Sequence, residues 1–281
     1  ARPVAGEGDW PTYRHDNRRS GSTSARVAPQ LSRDWETELG GKLTAPVVAG
    51  GRAYFAAENK HTVYSLDANT GDVVWSFTAG GPVDSPPTIA RGRAVFGCAD
   101  GRVYCLRASD GRLMWTFRAA PLDRRTLSYG QLESIWPVHG SVLVRNGQVY
   151  CAAGRSMFLD GGLRMLRLDL KTGRKVNENV LDEKLPKSGK NLQAKVDWLN
   201  MPTALPDILS CDGERLYMRG QEFDFRGRRT ALRTPTKGMA AEQTGKTAHL
   251  LSPTGFLDAS WFHRSYWIFG KNWISGWNGY Y

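Results

Sequence analysis

The residues of this 281-residue chain that could do chemistry are few and scattered. The stretch TGFLDASWFHRSY places Asp258, His263 and Arg264 close together, and a carboxylate, an imidazole and a guanidinium are the groups that proton transfer needs. The plainer reading, an ordinary polar strand end, is preferred. Ser260 and Ser265 beside them lack the turn context of an activated nucleophile. The five histidines, His15, His61, His139, His249 and His263, include no pair at metal-ligand spacing. Asp160, Glu222, Asp224 and Asp258 offer oxygen ligands for a hard cation, but nothing in their spacing converges, so no metal site is assigned.

The four cysteines, Cys98, Cys105, Cys151 and Cys211, are neither adjacent nor in C-x-x-C spacing, which argues against a zinc ribbon, a thioredoxin-type motif and haem attachment. Cys98 and Cys105 flank Asp100-Gly101. A two-residue turn there sets Cys98 opposite Val103 and Phe96 opposite Cys105, with both sulfurs on one face. A disulfide is an option, and two buried thiols are the preferred reading.

The last 26 residues hold ten aromatics, among them Trp261, Trp267, Trp273 and Trp277. With His263 they form a candidate platform for a sugar ring or a protein partner, set against the alternative of ordinary sheet packing. The net charge of +11 comes mainly from arginine, most densely in FRGRRTALRTPTK. It suits an anionic partner such as a lipid headgroup or acidic glycan, or simply a solvated surface. No nucleic-acid-binding motif accompanies it, so nucleic acid is not expected as a partner. No segment is apolar for the length of a membrane span. The chain opens at Ala1, which suits a processed, exported protein.

These groups must be carried by some framework, and the framework is written as a repeat. YSLDANTGDVVWSF (Tyr64 to Phe77) returns 40 residues later as YCLRASDGRLMWTF (Tyr104 to Phe117). Trp35, Trp75 and Trp115 keep the same interval. Upstream, TAPVVAGGRAYFAA matches SPPTIARGRAVFGC, and a third, diverged copy runs through GSVLVRNGQVYCAA and LRMLRLDLKTGRKV. Each copy divides into four short apolar runs separated by turn signals, including Arg91-Gly92, Asp100-Gly101 and Asp110-Gly111. A period near 40 with four strands per repeat predicts an all-β propeller of four-stranded antiparallel blades.

The expected layout is an extended segment over 1–30, a closing strand at 31–39, and blades near 43–79, 83–119 and 138–182. A diverged blade follows over 205–281. Asp182 to Asp197 is expected as a surface loop. Trp35, Trp75 and Trp115 are assigned to blade-to-blade docking, with Gly71 and Gly111 supplying an unusual φ and Thr70 bonding the turn backbone. Residues 31–39, lacking a blade of their own, are expected to complete the last one.

The pattern Leu66-Asp67-Ala68-Asn69-Thr70-Gly71 through Trp75 resembles the tryptophan-docking motif of PQQ-like quinoprotein repeats, a superfamily that includes quinone-dependent alcohol dehydrogenases and BamB-like scaffolds. The opening GDWPTYRHDNRRSGST also resembles the mature start of secreted planctomycete-type PQQ-like proteins. The resemblance is good over about residues 8–176 and implies a propeller in the periplasm or outside the cell. Such rings usually close with more blades than this length holds, so an incomplete ring or a fragment is expected. The leading functional expectation is a non-catalytic scaffold for a protein or glycan partner in the envelope. The alternatives are a PQQ- and calcium-dependent dehydrogenase and a carbohydrate-active propeller. The enzymes resembled carry an adjacent Cys-Cys disulfide, which this chain lacks, so no cofactor is the preferred reading.

Overall fold

The computed structural model of the chain describes residues 8–157, 159–182, 184, 188–189, 206–218 and 221–229, and the backbone of three further strands within 249–279. Antiparallel meanders follow one another along the chain. The first blade is β1 (Val47–Ala49), β2 (Arg52–Ala57), β3 (Thr62–Asp67) and β4 (Val73–Thr78). The second is β5 (Thr88–Ala90), β6 (Arg93–Cys98), β7 (Arg102–Arg107) and β8 (Leu113–Arg118). A separate hairpin, β9 (Arg125–Ser128) and β10 (Gln131–Ser134), interrupts the path to the third blade, β11 (Leu143–Arg145), β12 (Gln148–Ala153), β13 (Leu163–Asp169) and β14 (Lys175–Leu181). No α-helix occurs among the described residues.

Where one diverged blade was expected over 205–281, there are two three-stranded sheets. One is β15 (Ser210–Cys211), β16 (Leu216–Met218) and β17 (Gln221–Phe223). The other is β18 (His249–Leu251), β19 (Arg264–Phe269) and β20 (Ile274–Gly279).

The hydrophobic core is divided among the gaps between blades. Tyr54, Val63 and Trp75 of the first blade pack with Phe96, Tyr104 and Leu106 of the second. Val95, Val103 and Cys105 on the other side of the second blade meet Val149, Cys151 and Leu166 of the third. Tyr150, Leu163 and Met165 then meet Leu216, Met218 and Phe223. Strand alternation produces this division: successive side chains of β6 and β7 point to opposite sides, so each blade feeds two cores.

Turn chemistry sets the register. Gly50-Gly51, Arg91-Gly92 and Asn146-Gly147 all have positive φ at both positions, the two-residue type I′ geometry that matches strand twist. Asp100-Gly101 does not follow this pattern: only Gly101 has positive φ, and the β6–β7 connection is three residues, Ala99 to Gly101. Cys98 therefore pairs with Arg102, Gly97 with Val103 and Phe96 with Tyr104. A one-residue slip moves a side chain to the other face. Cys98 lies in the core shared with the first blade and Cys105 in the core shared with the third, which corrects the expectation that their sulfurs share a face. All four cysteines are free and buried. Burial pushes the Cys105 and Cys151 thiols up to about 12.

Candidate functional site

The inner strands β1, β5, β11 and β15 face the axis with edges that would otherwise present unpaired backbone groups. Residues 10–19 cover them in turn. Trp10 exchanges backbone hydrogen bonds with Val48 of β1 at 2.7 and 2.8 Å. The Ile89 N–H of β5 donates to the Pro11 carbonyl at 2.7 Å. Asn17 Nδ2 donates to the Val144 carbonyl of β11 at 2.8 Å, and the Asn17 carbonyl accepts from the Cys211 N–H of β15 at 2.8 Å. One segment thus laces four blades together across the axis. Residues 8–20 were expected only to be extended. Their partners lie up to 190 residues away, and no local periodicity announces them.

Arg19 ends the lace. It is fully buried, donating through Nε to the Leu209 carbonyl at 2.9 Å and through Nη1 to Thr12 Oγ1 at 2.7 Å and the Tyr13 carbonyl at 3.0 Å. Desolvation brings its pKa down to about 10, against the opposing pull of Asp16. The guanidinium stays charged at neutral pH, with Nε and Nη1 bonded to these oxygens and the buried Nη2 making no hydrogen bond.

Around one end of the axis the connections between blades converge. Asp84, on the path from β4 to β5, meets His139, on the path from β10 to β11: His139 Nδ1 lies 2.5 Å from Asp84 Oδ2. Asp84 Oδ1 also accepts from the Gly140 N–H at 3.1 Å and from Ser85 Oγ at 3.1 Å. Burial drives Asp84 upward, but the bonds from His139, Gly140 and Ser85 prevail and hold it below the usual carboxylate range. Burial likewise drives His139 downward, yet the bond to Asp84 and the charges of Asp84 and Glu133 leave it above its ordinary value. Glu133 forms an ion pair with Arg155 beside them. Asp84 and His139 satisfy one another, Arg155 keeps a buried Nε without a hydrogen bond, and the geometry is that of a structural cluster fastening loops. Sequence reasoning missed the pair because its members stand 55 residues apart.

The hairpin β9–β10 stands at the same end. His61 Nε2 lies 2.9 Å from Gln131 Oε1, which ties the hairpin to the first blade. Leu127 and Leu132 face each other across it and are 76% and 50% exposed, and Tyr129 at its tip is fully exposed.

The structure brings the repeat residues together as follows. Trp35 Nε1 donates to the Ala68 carbonyl, Trp75 Nε1 to the Ala108 carbonyl and Trp115 Nε1 to the Leu170 carbonyl, each at 3.0 Å. The three indoles lie over Gly71, Gly111 and Gly173, where an added Cβ would sit 2.5, 2.7 and 2.6 Å from ring carbons. Thr70 Oγ1 accepts from the Asp72 N–H at 3.2 Å. Residues 31–39 form no ladder with any described residue, and Trp35 rests on the first blade. Of the aromatic platform, Trp267 pairs with Gly276 and Trp277 with Tyr266 across β19–β20, while Trp261, His263 and Trp273 lie outside the described residues.

A quinone with calcium would need a converging donor set, which the described residues do not assemble. Among them no three His, Cys, Asp or Glu side chains are placed to hold a metal ion. Glu222 is paired with Arg215 and Asp224 with Arg228, Asp160 lies in an exposed turn, and Asp258 is outside the described residues. Residues 10–19 hydrogen-bond to the inner strands of four sheets.

Four-stranded blades, cores between blades and indoles docked on turn glycines define a β-propeller built from PQQ-like repeats. Residues 14–203 match the family described as outer membrane protein assembly factor BamB, and the chain belongs to that family. The BamB of Yersinia pestis is 29% identical over 121 residues, covering 39% of this chain and 30% of that protein. The dehydrogenase subunit of the quinone alcohol dehydrogenase of Komagataeibacter europaeus is 27% identical over 152 residues, covering 50% of this chain and 20% of its own length. Among solved structures, a quinohemoprotein alcohol dehydrogenase from Pseudomonas putida HK5 superposes with a TM-score of 0.57 at 18% identity, over 79% of this chain and 37% of that one. The chain therefore spans well under half the length of these relatives. No helix among the described residues is long and apolar enough to cross a membrane.

Proposed function

We propose that this protein is a non-catalytic scaffold of the cell envelope that binds a protein partner through the end of the propeller bearing the β9–β10 hairpin. The observation that carries the reading is the lace. Residues 10–19 use the inner edges of four sheets for internal hydrogen bonds, so those edges are committed to holding the sheets together. The exposed Leu127, Leu132 and Tyr129 give the neighbouring face an apolar contact surface, and interfaces favour such side chains. The names of the BamB relatives support assembly work at the outer membrane. The names of the dehydrogenase relatives support the second reading, a quinone enzyme.

Titration with PQQ plus calcium, followed by tryptophan fluorescence, separates the two. The scaffold reading expects no saturable quenching, and saturation at micromolar cofactor would overturn it. A photo-crosslinker at Tyr129 should then capture a defined envelope protein, while one at Lys171, on the opposite turns, should not.

A further inference from the structure

The repeats serve as one another's controls, and one position breaks their rule. In the first blade the last residue of the third strand is Asp67, paired across the sheet with Arg52. In the third blade it is Asp169, paired with Gln148. Both carboxylates cap the following turn: Asp67 Oδ1 accepts from the Asn69 N–H at 2.9 Å, and Asp169 Oδ1 from the Thr172 N–H at 2.8 Å. The second blade has Arg107 at this place, directly opposite Arg93. It loses the cap and sets like charges face to face, an arrangement that destabilises a sheet.

The neighbourhood amplifies the charge. Arg91 occupies the adjoining turn with φ 48°, and Arg112 leaves the next turn exposed. Asp110 alone answers these four arginines within the two turns, through Arg107 Nε at 3.0 Å. Arg93 donates through Nη1 to the Arg91 carbonyl at 3.1 Å, while its buried Nε makes no hydrogen bond. The strand that continues from Arg112 exposes Leu113 at 49% and Met114 at 45%, as the first blade exposes Val73 at 47% and Val74 at 42%, and only in the second blade do the arginines stand beside the pair. Guanidinium groups beside exposed aliphatics are the composition of a surface that sits at a lipid interface.

We propose that this corner of the second blade, Arg91, Arg93, Arg107 and Arg112 with Leu113 and Met114, docks on an anionic phospholipid bilayer. A free phosphate would engage the charge but leave the aliphatic pair unused, and the pair favours a membrane. The inference does not rest on the scaffold reading: a dehydrogenase with the same corner would dock in the same way.

The test is co-sedimentation of the full chain with phosphatidylglycerol–phosphatidylcholine vesicles at low ionic strength, with pure phosphatidylcholine vesicles as reference. Arg107→Asp restores the residue the other two blades use, so it should fold and melt no lower than the parent. Charge near an anionic bilayer changes affinity about fivefold per cation, so this two-charge reversal should lower binding about thirtyfold. Arg33→Glu makes the same change in net charge on an exposed segment elsewhere and should leave most of the binding intact. Leu113→Ser/Met114→Ser should weaken binding at unchanged charge. Failure of the parent to sediment with anionic vesicles would overturn the proposal, as would equal loss in R107D and R33E. Release by inorganic phosphate beyond that caused by chloride of matched ionic strength would reassign the corner to a small anion. Binding to an acidic polypeptide but to no vesicle would reassign it to an acidic protein. Either reassignment overturns the bilayer.

Discussion

Gly111 shows how much depends on a missing side chain. Its φ is 71°, and a Cβ there would meet Trp75 at 2.7 Å. Two costs follow from Gly111→Ala, and Gly51 separates them. Gly51 has a similar φ of 73° but nothing within 4 Å of a new Cβ. Gly51→Ala should cost about 1–2 kcal/mol, the backbone penalty alone. Gly111→Ala should cost about 2 kcal/mol more in urea denaturation, because the indole is forced off its seat and overpacking adds to the penalty. Equal costs would mean that the indole yields freely.

The Asp84–His139 pair makes a separate prediction in pH. The His139 pKa is raised on folding, so its stabilisation is complete below about 6.5, the unfolded value, and fades as pH climbs through the folded value. The Asp84 pKa is lowered, so its contribution is complete above about 3.9 and fades as pH falls through the folded value. Midpoints of urea unfolding across pH should fall on the alkaline side in the parent, and His139→Asn should flatten that limb. An unchanged limb in the variant would assign the alkaline loss to other groups.

At the scale of elements, the sequence made most of the strands of the first three blades legible, since alternation and Gly-containing turns act within a few residues. Three features escaped, each for a physical reason. The β6–β7 turn has one residue more than Asp-Gly suggests, and Gly101 alone takes the positive φ. The β9–β10 hairpin turns on Tyr129 and Gly130, both at positive φ, and Tyr is not a residue that advertises such a turn. The axial lace has no periodicity because its hydrogen bonds go to four different blades. Arg19 is its anchor. Removing the side chain leaves the carbonyls of Tyr13 and Leu209 without this donor, while Thr12 Oγ1 keeps its bond to Thr88 Oγ1, and each orphan costs about 1–3 kcal/mol. Arg19→Ala should therefore lower stability by about 3 kcal/mol or more. It should also speed amide exchange at Ile89 and Cys211, whose N–H groups the lace accepts. Loss of stability with both amides still protected would place the role of Arg19 outside the lace.

Across the whole molecule the docking contacts form a relay whose chemistry changes at the fourth step. Trp75 and Trp115 stand opposite Ser65 and Cys105 in their blades, and the corresponding position of the third blade, opposite Arg167, is Asn177. Its amide and that of Asn179 both donate to the Arg226 carbonyl, and Gly227 follows that acceptor directly at φ 73°, whereas Gly111 and Gly173 stand three residues beyond theirs. The donor survives while the ring is gone. A buried indole contributes about 3–5 kcal/mol by large-to-small substitution, and an exposed side-chain hydrogen bond about 1 kcal/mol. Stacked repeats hold together through nearest-neighbour contacts, so the weakest contact opens first. The contact between the third blade and β15–β17 is therefore the seam. Native-state hydrogen exchange should show Leu216–Met218 opening in a sub-global step well below the global unfolding of β6 and β7. Asn177→Ala should lower that step by about 1 kcal/mol and leave β6 and β7 unchanged, whereas Trp75→Ala should lower protection on both sides of the first interface. A single opening free energy shared by every strand would mean that the lace, which also grips Cys211 and Leu209, ties the blades into one cooperative unit despite the missing ring.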